Sequence, residues 1–254
     1  MLLEYNPRQC LPSAEDLPDS DDKPVDNQLQ HLIPGLLEAI LALIWLERMD
    51  WFFGVDMGIY YAPDEPAIVP DGFLSIEVPR IIDSDLRLSY VLWEEQKVLI
   101  MVLEVVSQTR RGEYPKKKED YAQLGILYYV IYNPLRKRKP RLEVYKLEGR
   151  DYQLLEGEPV WLSEINLGIG REEGTYQGIT REWLYWYDSK GKRYFTPEEQ
   201  ILATQQQLQG TENRAIVAEQ QLQQERQAKE IAIERAKRLE QLLRKNGIDI
   251  DDNS

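Results

Sequence analysis

The stretch Val98-Leu99-Ile100-Met101-Val102-Leu103-Glu104-Val105-Val106 decides how this chain is read. Eight of its nine residues are apolar and five are β-branched valine or isoleucine next to leucine and methionine, the composition of a strand covered on both faces. Glu104 breaks the run. A carboxylate in such a strand is costly to bury unless it is paired or binds a cation. Two readings of Glu104 are open: it belongs to a chemical site, or it ends the strand, capping a helix or meeting an arginine.

Working outward, Trp51 to Tyr61 and Ile68 to Val78 are rich in β-branched and aromatic residues and are bounded by Pro, Asp and Glu clusters, so three strands are expected. Before them, apolar residues from Leu29 to Met49 recur at helical spacing, with Pro34 and Gly35 expected to delay the start. After them, a helix is expected from Pro115 to Leu124, stopped by Gly125. A strand follows from Ile126 to Tyr132, closed by Asn133-Pro134. The order is αβββαβ, an α/β core. Arg141 to Leu147 and Tyr152 to Leu155 read as an appended hairpin. The segment running on to Tyr187 reads as loop-rich, its Trp and Tyr covering a core edge.

Val69-Pro70-Asp71 is a weak signal alone, because both Pro and Asp are common where strands bend or end. Together, an acid on the second strand, an acid on the third and a helix opening with Lys116-Lys117-Lys118 describe a site for a divalent cation and a phosphate. Hard cations take carboxylate oxygens, and an ammonium can hold the attacking water.

The Pro70-Asp71 pair, Leu103-Glu104-Val105-Val106-Ser107, and the run from Lys117 to Ile126 followed by Tyr128 resemble the bacterial restriction endonuclease-type family of the PD-(D/E)XK nuclease superfamily. The resemblance extends from about Leu29 to Asp188 and includes the αβββαβ order. It implies a restriction-endonuclease-like fold with a mixed sheet and metal-dependent cleavage of phosphodiesters, with DNA as substrate. Asp71 matches the motif aspartate and Glu104 the motif glutamate, both implied ligands of Mg²⁺ or Mn²⁺. The motif lysine is absent, since Val106 stands two residues beyond Glu104, and the resemblance points to Lys117 on the following helix instead. His31 falls near a position where the family often has histidine, but a lone His near a helix start reads as a surface or boundary residue.

Helix geometry bears independently on the lysines. At about 100° per residue, Tyr121 lies about 40° from Lys117 on one side and Leu124 about 20° on the other. Lys117 is therefore centred on the buried face, where an ammonium needs a carboxylate partner. Lys116 and Lys118 are expected to project about 100° to either side, toward solvent or phosphate.

The 254 residues carry a formal net charge of −13, which argues against gripping nucleic acid by overall charge. Any contact must be local. Between Arg110 and Arg141 there are ten basic residues against Glu113, Glu119 and Asp120. Arg110, Arg111, Lys116 and Lys118 are the candidate phosphate contacts, and the turn from Arg136 to Lys139 reads equally as a solvated basic loop. A single cysteine, Cys10, excludes an internal disulfide framework, and no apolar run is long enough for a membrane span, so a cytoplasmic protein is expected.

Residues 1–28 read as an acidic leader and 29–195 as the nuclease-like domain. Thr196-Pro197-Glu198-Glu199 opens one long helix expected to reach Asn246-Gly247, within a C-terminal helix or coiled-coil segment of residues 196–254. A seven-residue seam passes through Ile201, Leu208, Ala215, Leu222, Lys229, Ala236 and Leu243, with Thr204, Thr211, Ala218, Glu225, Ala232 and Leu239 between them. Its weak positions suit a loose coiled coil or a solvated single helix, and a homo-oligomer is one expectation. Two functions remain: a metal-dependent endonuclease, or a catalytically silent scaffold of the same fold that oligomerises through its tail.

Overall fold

A computed structural model describes residues 27–62, 64–82, 86–106, 113–135 and 140–246. Helix α1 spans Gln28–Ile44 and is started by a reciprocal capping box. The Asn27 side chain accepts from the backbone N–H groups of Leu29 and Gln30, while the Gln30 side chain accepts from the Asn27 N–H. That cap sets the start, so the helix runs through Pro34 instead of being delayed by it, and it ends at Ile44, short of Met49. Its buried stripe is Leu32, Ile33, Leu36, Leu37, Ile40 and Leu41.

The strands are β1 (Trp51–Val55), β2 (Ile59–Tyr60), β3 (Gly72–Ile76), β4 (Tyr90–Val91) and, after the single-turn helix α2 (Leu92–Glu95), β5 (Met101–Val105). Helix α3 (Glu113–Leu124) leads to β6 (Tyr128–Tyr132), then β7 (Leu142–Glu148) and β8 (Asp151–Leu154). A six-stranded mixed sheet has the order β1-β3-β5-β6-β7-β8, with β5 and β6 parallel and the other neighbours antiparallel. Strands β2 and β4 form a small parallel pair beside it. The expected αβββαβ order is present as α1, β1, β3, β5, α3 and β6. The first expected strand is shorter than its apolar run, because Asp56, in the left-handed region with φ 48°, separates β1 from β2.

Alternation along β5 divides the core. Met101, Leu103 and Val105 face α1, whereas Val102 and Val106 face Tyr121 of α3. Gly125, with φ +78°, closes α3, and the N–H of Ile126 bonds back to the Tyr121 carbonyl.

The segment expected to be loop-rich is a second sheet, an antiparallel set of β9 (Val160–Leu162), β10 (Leu167–Tyr176) and β11 (Ile179–Tyr187). Glycines and charges broke the strand pattern in β10. Those glycines make room for rings: a Cβ at Gly170 would stand 3.0 Å from both Pro159 and Tyr187, and one at Gly174 would collide with the Tyr185 hydroxyl. Gln177 and Gly178, both at positive φ, make the two-residue turn of the hairpin. As expected, its aromatics are core. Trp183, Tyr185 and Trp186 are fully buried, and the Trp186 indole N–H donates to the Leu37 carbonyl of α1 at 3.0 Å.

The chain divides into two compact units, one ending at Pro197 and the other beginning at Glu198. Helix α4 (Pro197–Lys245) has 49 residues, runs unbroken through Gly210 and buries none of its side chains. Pro197 is its first helical residue, where a missing N–H costs nothing.

Candidate active site

The site begins with strand register. β3 and β5 pair antiparallel as Gly72 with Leu103, Phe73 with Val102 and Leu74 with Met101. One step further brings Asp71 opposite Glu104. Directly opposed residues point to the same face, here the one covered by α3. Asp71 replaces a ladder bond with its side chain: the backbone N–H of Val105 donates to Asp71 Oδ2 at 2.5 Å. Both acids are buried, Asp71 at 8% exposure and Glu104 at 5%.

Glu104 is held from α3. Lys117 Nζ donates to both of its oxygens, at 2.9 and 2.8 Å, and the Tyr121 hydroxyl donates to Oε1 at 2.6 Å. Lys117 and Tyr121 are one helical turn apart, so both reach the same carboxylate from one face. The Lys117 side chain keeps 30% of its surface exposed and so lies between the buried acid and solvent.

Asp71 is held from α1. Gln30 Nε2 donates to Asp71 Oδ1 at 3.0 Å, while the Gln30 carbonyl oxygen accepts from the Asn27 side chain at 2.9 Å and its backbone N–H at 3.1 Å. The helix comes this near because its Pro34 ring rests on a residue without a side chain, since a Cβ at Gly72 would stand 3.0 Å from the Pro34 Cβ. Thus the capping residue of α1 also orients the acid at the start of β3.

Burial, followed by repulsion from Glu104, pushes the Asp71 carboxyl up to about 7, against the pull of the Val105 N–H, Gln30 and Lys117. Burial and the Glu104 charge raise the Tyr121 phenol well above its ordinary value, so it stays a proton donor. Two buried carboxylates in mutual repulsion form a donor set suited to a hard cation, which would replace the Asp71 proton. Among the described residues no group of three or more His, Cys, Asp or Glu could hold a metal ion. Two carboxylates fit a hard cation only if water or phosphate oxygens complete its coordination.

The structure thus brings Asp71, Glu104 and Lys117 together. Lys116 is exposed beside them. The Lys118 ammonium lies 3.6 Å from the centre of the Tyr145 ring of β7, and burial lowers its pKa. Arg110, Arg111 and the turn from Arg136 to Lys139 lie outside the described residues. Val106 is 3% exposed and packs with Val102 and Tyr121 on the Glu104 side of the sheet, so the usual lysine position is filled by core. His31 is exposed. Two site residues escaped the sequence reading. Tyr121 was placed on the buried face but given no role, although its one-turn spacing from Lys117 was visible. Gln30 had a weaker signal, the Asn27-to-Gln30 capping spacing, which marks a helix start but names no tertiary partner.

The mixed sheet in αβββαβ order, with opposed acids on two adjacent strands, places the chain in the restriction-endonuclease-like class. Over residues 23–172 it matches Uma2, described as "putative restriction endonuclease", and it belongs to that family. One similar solved structure is that of a "putative nuclease belonging to DUF820" from Anabaena variabilis. It is 12% identical, with a TM-score of 0.39, over 55% of this chain and 74% of that one. No curated protein matches the chain. Among the described residues no helix is long and apolar enough to cross a membrane.

Proposed function

We propose that this protein is a metal-dependent endonuclease that hydrolyses nucleic-acid phosphodiesters, with DNA as its substrate. The observation that carries the reading is the convergence of Asp71, Glu104 and Lys117 on one partly open point of the sheet face. Asp71 and Glu104 would hold Mg²⁺ or Mn²⁺. A cation bound there supplies a water of lowered pKa and charge stabilisation at the phosphate oxygens. The chain's own groups do the positioning. Tyr121 and Lys117 fix the Glu104 carboxylate, Gln30 and the Val105 N–H fix Asp71, and the part-exposed Lys117 ammonium is placed to hold the attacking water or a phosphate oxygen. Lys116, Lys118, Arg110 and Arg111 are the proposed phosphate contacts, in keeping with a locally basic segment in an acidic protein. In this reading residues 29–195 form the nuclease domain, preceded by an acidic leader and followed by a tail from residue 196.

The test is cleavage of labelled double-stranded DNA, single-stranded DNA and RNA with Mg²⁺ or Mn²⁺, wild type beside Glu104→Ala. Cleavage of DNA that requires the cation and is lost in the variant supports the proposal. Activity equal in both proteins contradicts it. One observation favours a second reading, a silent scaffold: Val106 makes the usual lysine position part of the core. That reading expects nucleic-acid binding or self-association without cleavage under any of these conditions.

A further inference from the structure

Helix α4 carries exposed large apolar side chains: Ile201, Leu208, Leu222 and Leu239 are each half or more exposed. By itself such a stripe does not name its partner. The charge along the same helix does. From residue 198 to 225 there are five carboxylates, Glu198, Glu199, Glu212, Glu219 and Glu225, against Arg214 alone. From residue 226 to 245 there are seven Lys and Arg against Glu230, Glu234 and Glu240. One half of the rod is acidic and the other basic.

We infer that α4 pairs with the α4 of a second copy of this chain as an antiparallel two-stranded coiled coil. Antiparallel pairing lays the acidic half of each helix along the basic half of the other, whereas parallel pairing lays like on like along the whole length. The seam gives the same answer. Parallel in register, Glu225 would face Glu225 and Lys229 would face Lys229 at the buried positions, and each layer would hold two like charges. In the antiparallel arrangement centred on Gln220, Glu225 meets Ala215 and Lys229 meets Thr211, with Glu212 adjacent. The apolar layers then set large against small: Leu222 meets Ala218 and Leu208 meets Ala232, with Ile201 against Leu239 at either end. Two weak seam positions, Ala218 and Ala232, thus become complements of Leu222 and Leu208. Residues 201–239 of each copy overlap over about 57 Å at 1.5 Å per residue.

The inference does not depend on catalysis, and the experiment uses the full chain. Light scattering of the wild type at tens of micromolar is expected to give a dimer whose dissociation constant rises several-fold from low to high salt, because opposite charges are being screened. A monomer, or a dimer tightened by salt, overturns it. Polarity is read by oxidising Ile201→Cys/Leu239→Cys in a Cys10→Ser background and identifying the linked peptides. Both positions are exposed, and in one straight helix they stand too far apart to join. Links between 201 and 239 are expected. Links of 201 to 201 and 239 to 239 would establish parallel pairing and overturn the inference.

Discussion

Asp71 and Glu104 stand opposite each other across β3 and β5, side chains on one face, and their repulsion adds to burial in lifting the Asp71 carboxyl to about 7. In metal-free buffer this makes Asp71 a destabilising residue above neutrality. Unfolded, the group ionises near pH 4, whereas folded it keeps its proton until about 7. The cost to the fold is absent below about pH 4, grows between the two values and is complete above the higher one. Asp71→Asn, which cannot ionise, is expected to gain roughly 4 kcal/mol on the wild type between about pH 4 and about pH 8. Urea unfolding in chelator at both pH values checks this. An offset of equal size at both would contradict it.

Tyr121→Phe removes one charge-assisted hydrogen bond to Glu104 without opening a cavity. A loss of about 1–2 kcal/mol in stability is expected. Cleavage should fall as well, since Glu104 then keeps only Lys117, and a double-mutant cycle with Glu104→Gln should show coupling between the two positions. Additive effects in the cycle would mean that the bond contributes nothing.

Lys117 and Lys116 are neighbours in sequence with different surroundings. Lys117 is bonded to Glu104, and Lys116 is exposed. Lys117→Met is expected to lower cleavage by about 100-fold or more while DNA binding persists. Lys116→Met should leave turnover at saturating DNA unchanged and reduce the salt dependence of binding by about one counterion. Cleavage rates at saturating DNA, together with binding measured over a salt series, separate the two.

These residues were not equally legible. Glu104 stood out because an apolar strand makes a single acid conspicuous, whereas Pro70-Asp71 is a weak signal alone and gained weight only beside Glu104, the lysine-bearing helix and the family resemblance. Lys117 followed from helical spacing, since Tyr121 and Leu124 mark its buried side. A sequence displays that period of about 3.6 directly. Gln30 could not be reached in that way. Its contact with Asp71 spans 41 residues and depends on how closely Pro34 settles on Gly72. The sheet of β9, β10 and β11 was obscured for a related reason. Gly168, Gly170 and Gly174 look like strand breakers until the rings of Pro159, Tyr185 and Tyr187 occupy the space beside them.

The chain divides into compact units at Pro197, and the match to the family ends before that point, at residue 172. Truncation after Phe195 is expected to leave the unfolding midpoint of the remaining chain within a few degrees of the full-length value, with circular dichroism losing helix in proportion to the residues removed. An unfolded product would show that the tail supports the core.

The most direct test of the site is calorimetric titration of Mg²⁺ and of Mn²⁺ into the wild type, Asp71→Ala and Glu104→Ala, each checked for native circular dichroism. One bound cation with proton release is expected in the wild type near neutral pH, and none at this site in either variant. Equal binding by all three folded proteins, or none by the wild type, would contradict the assignment of Asp71 and Glu104 as a metal site.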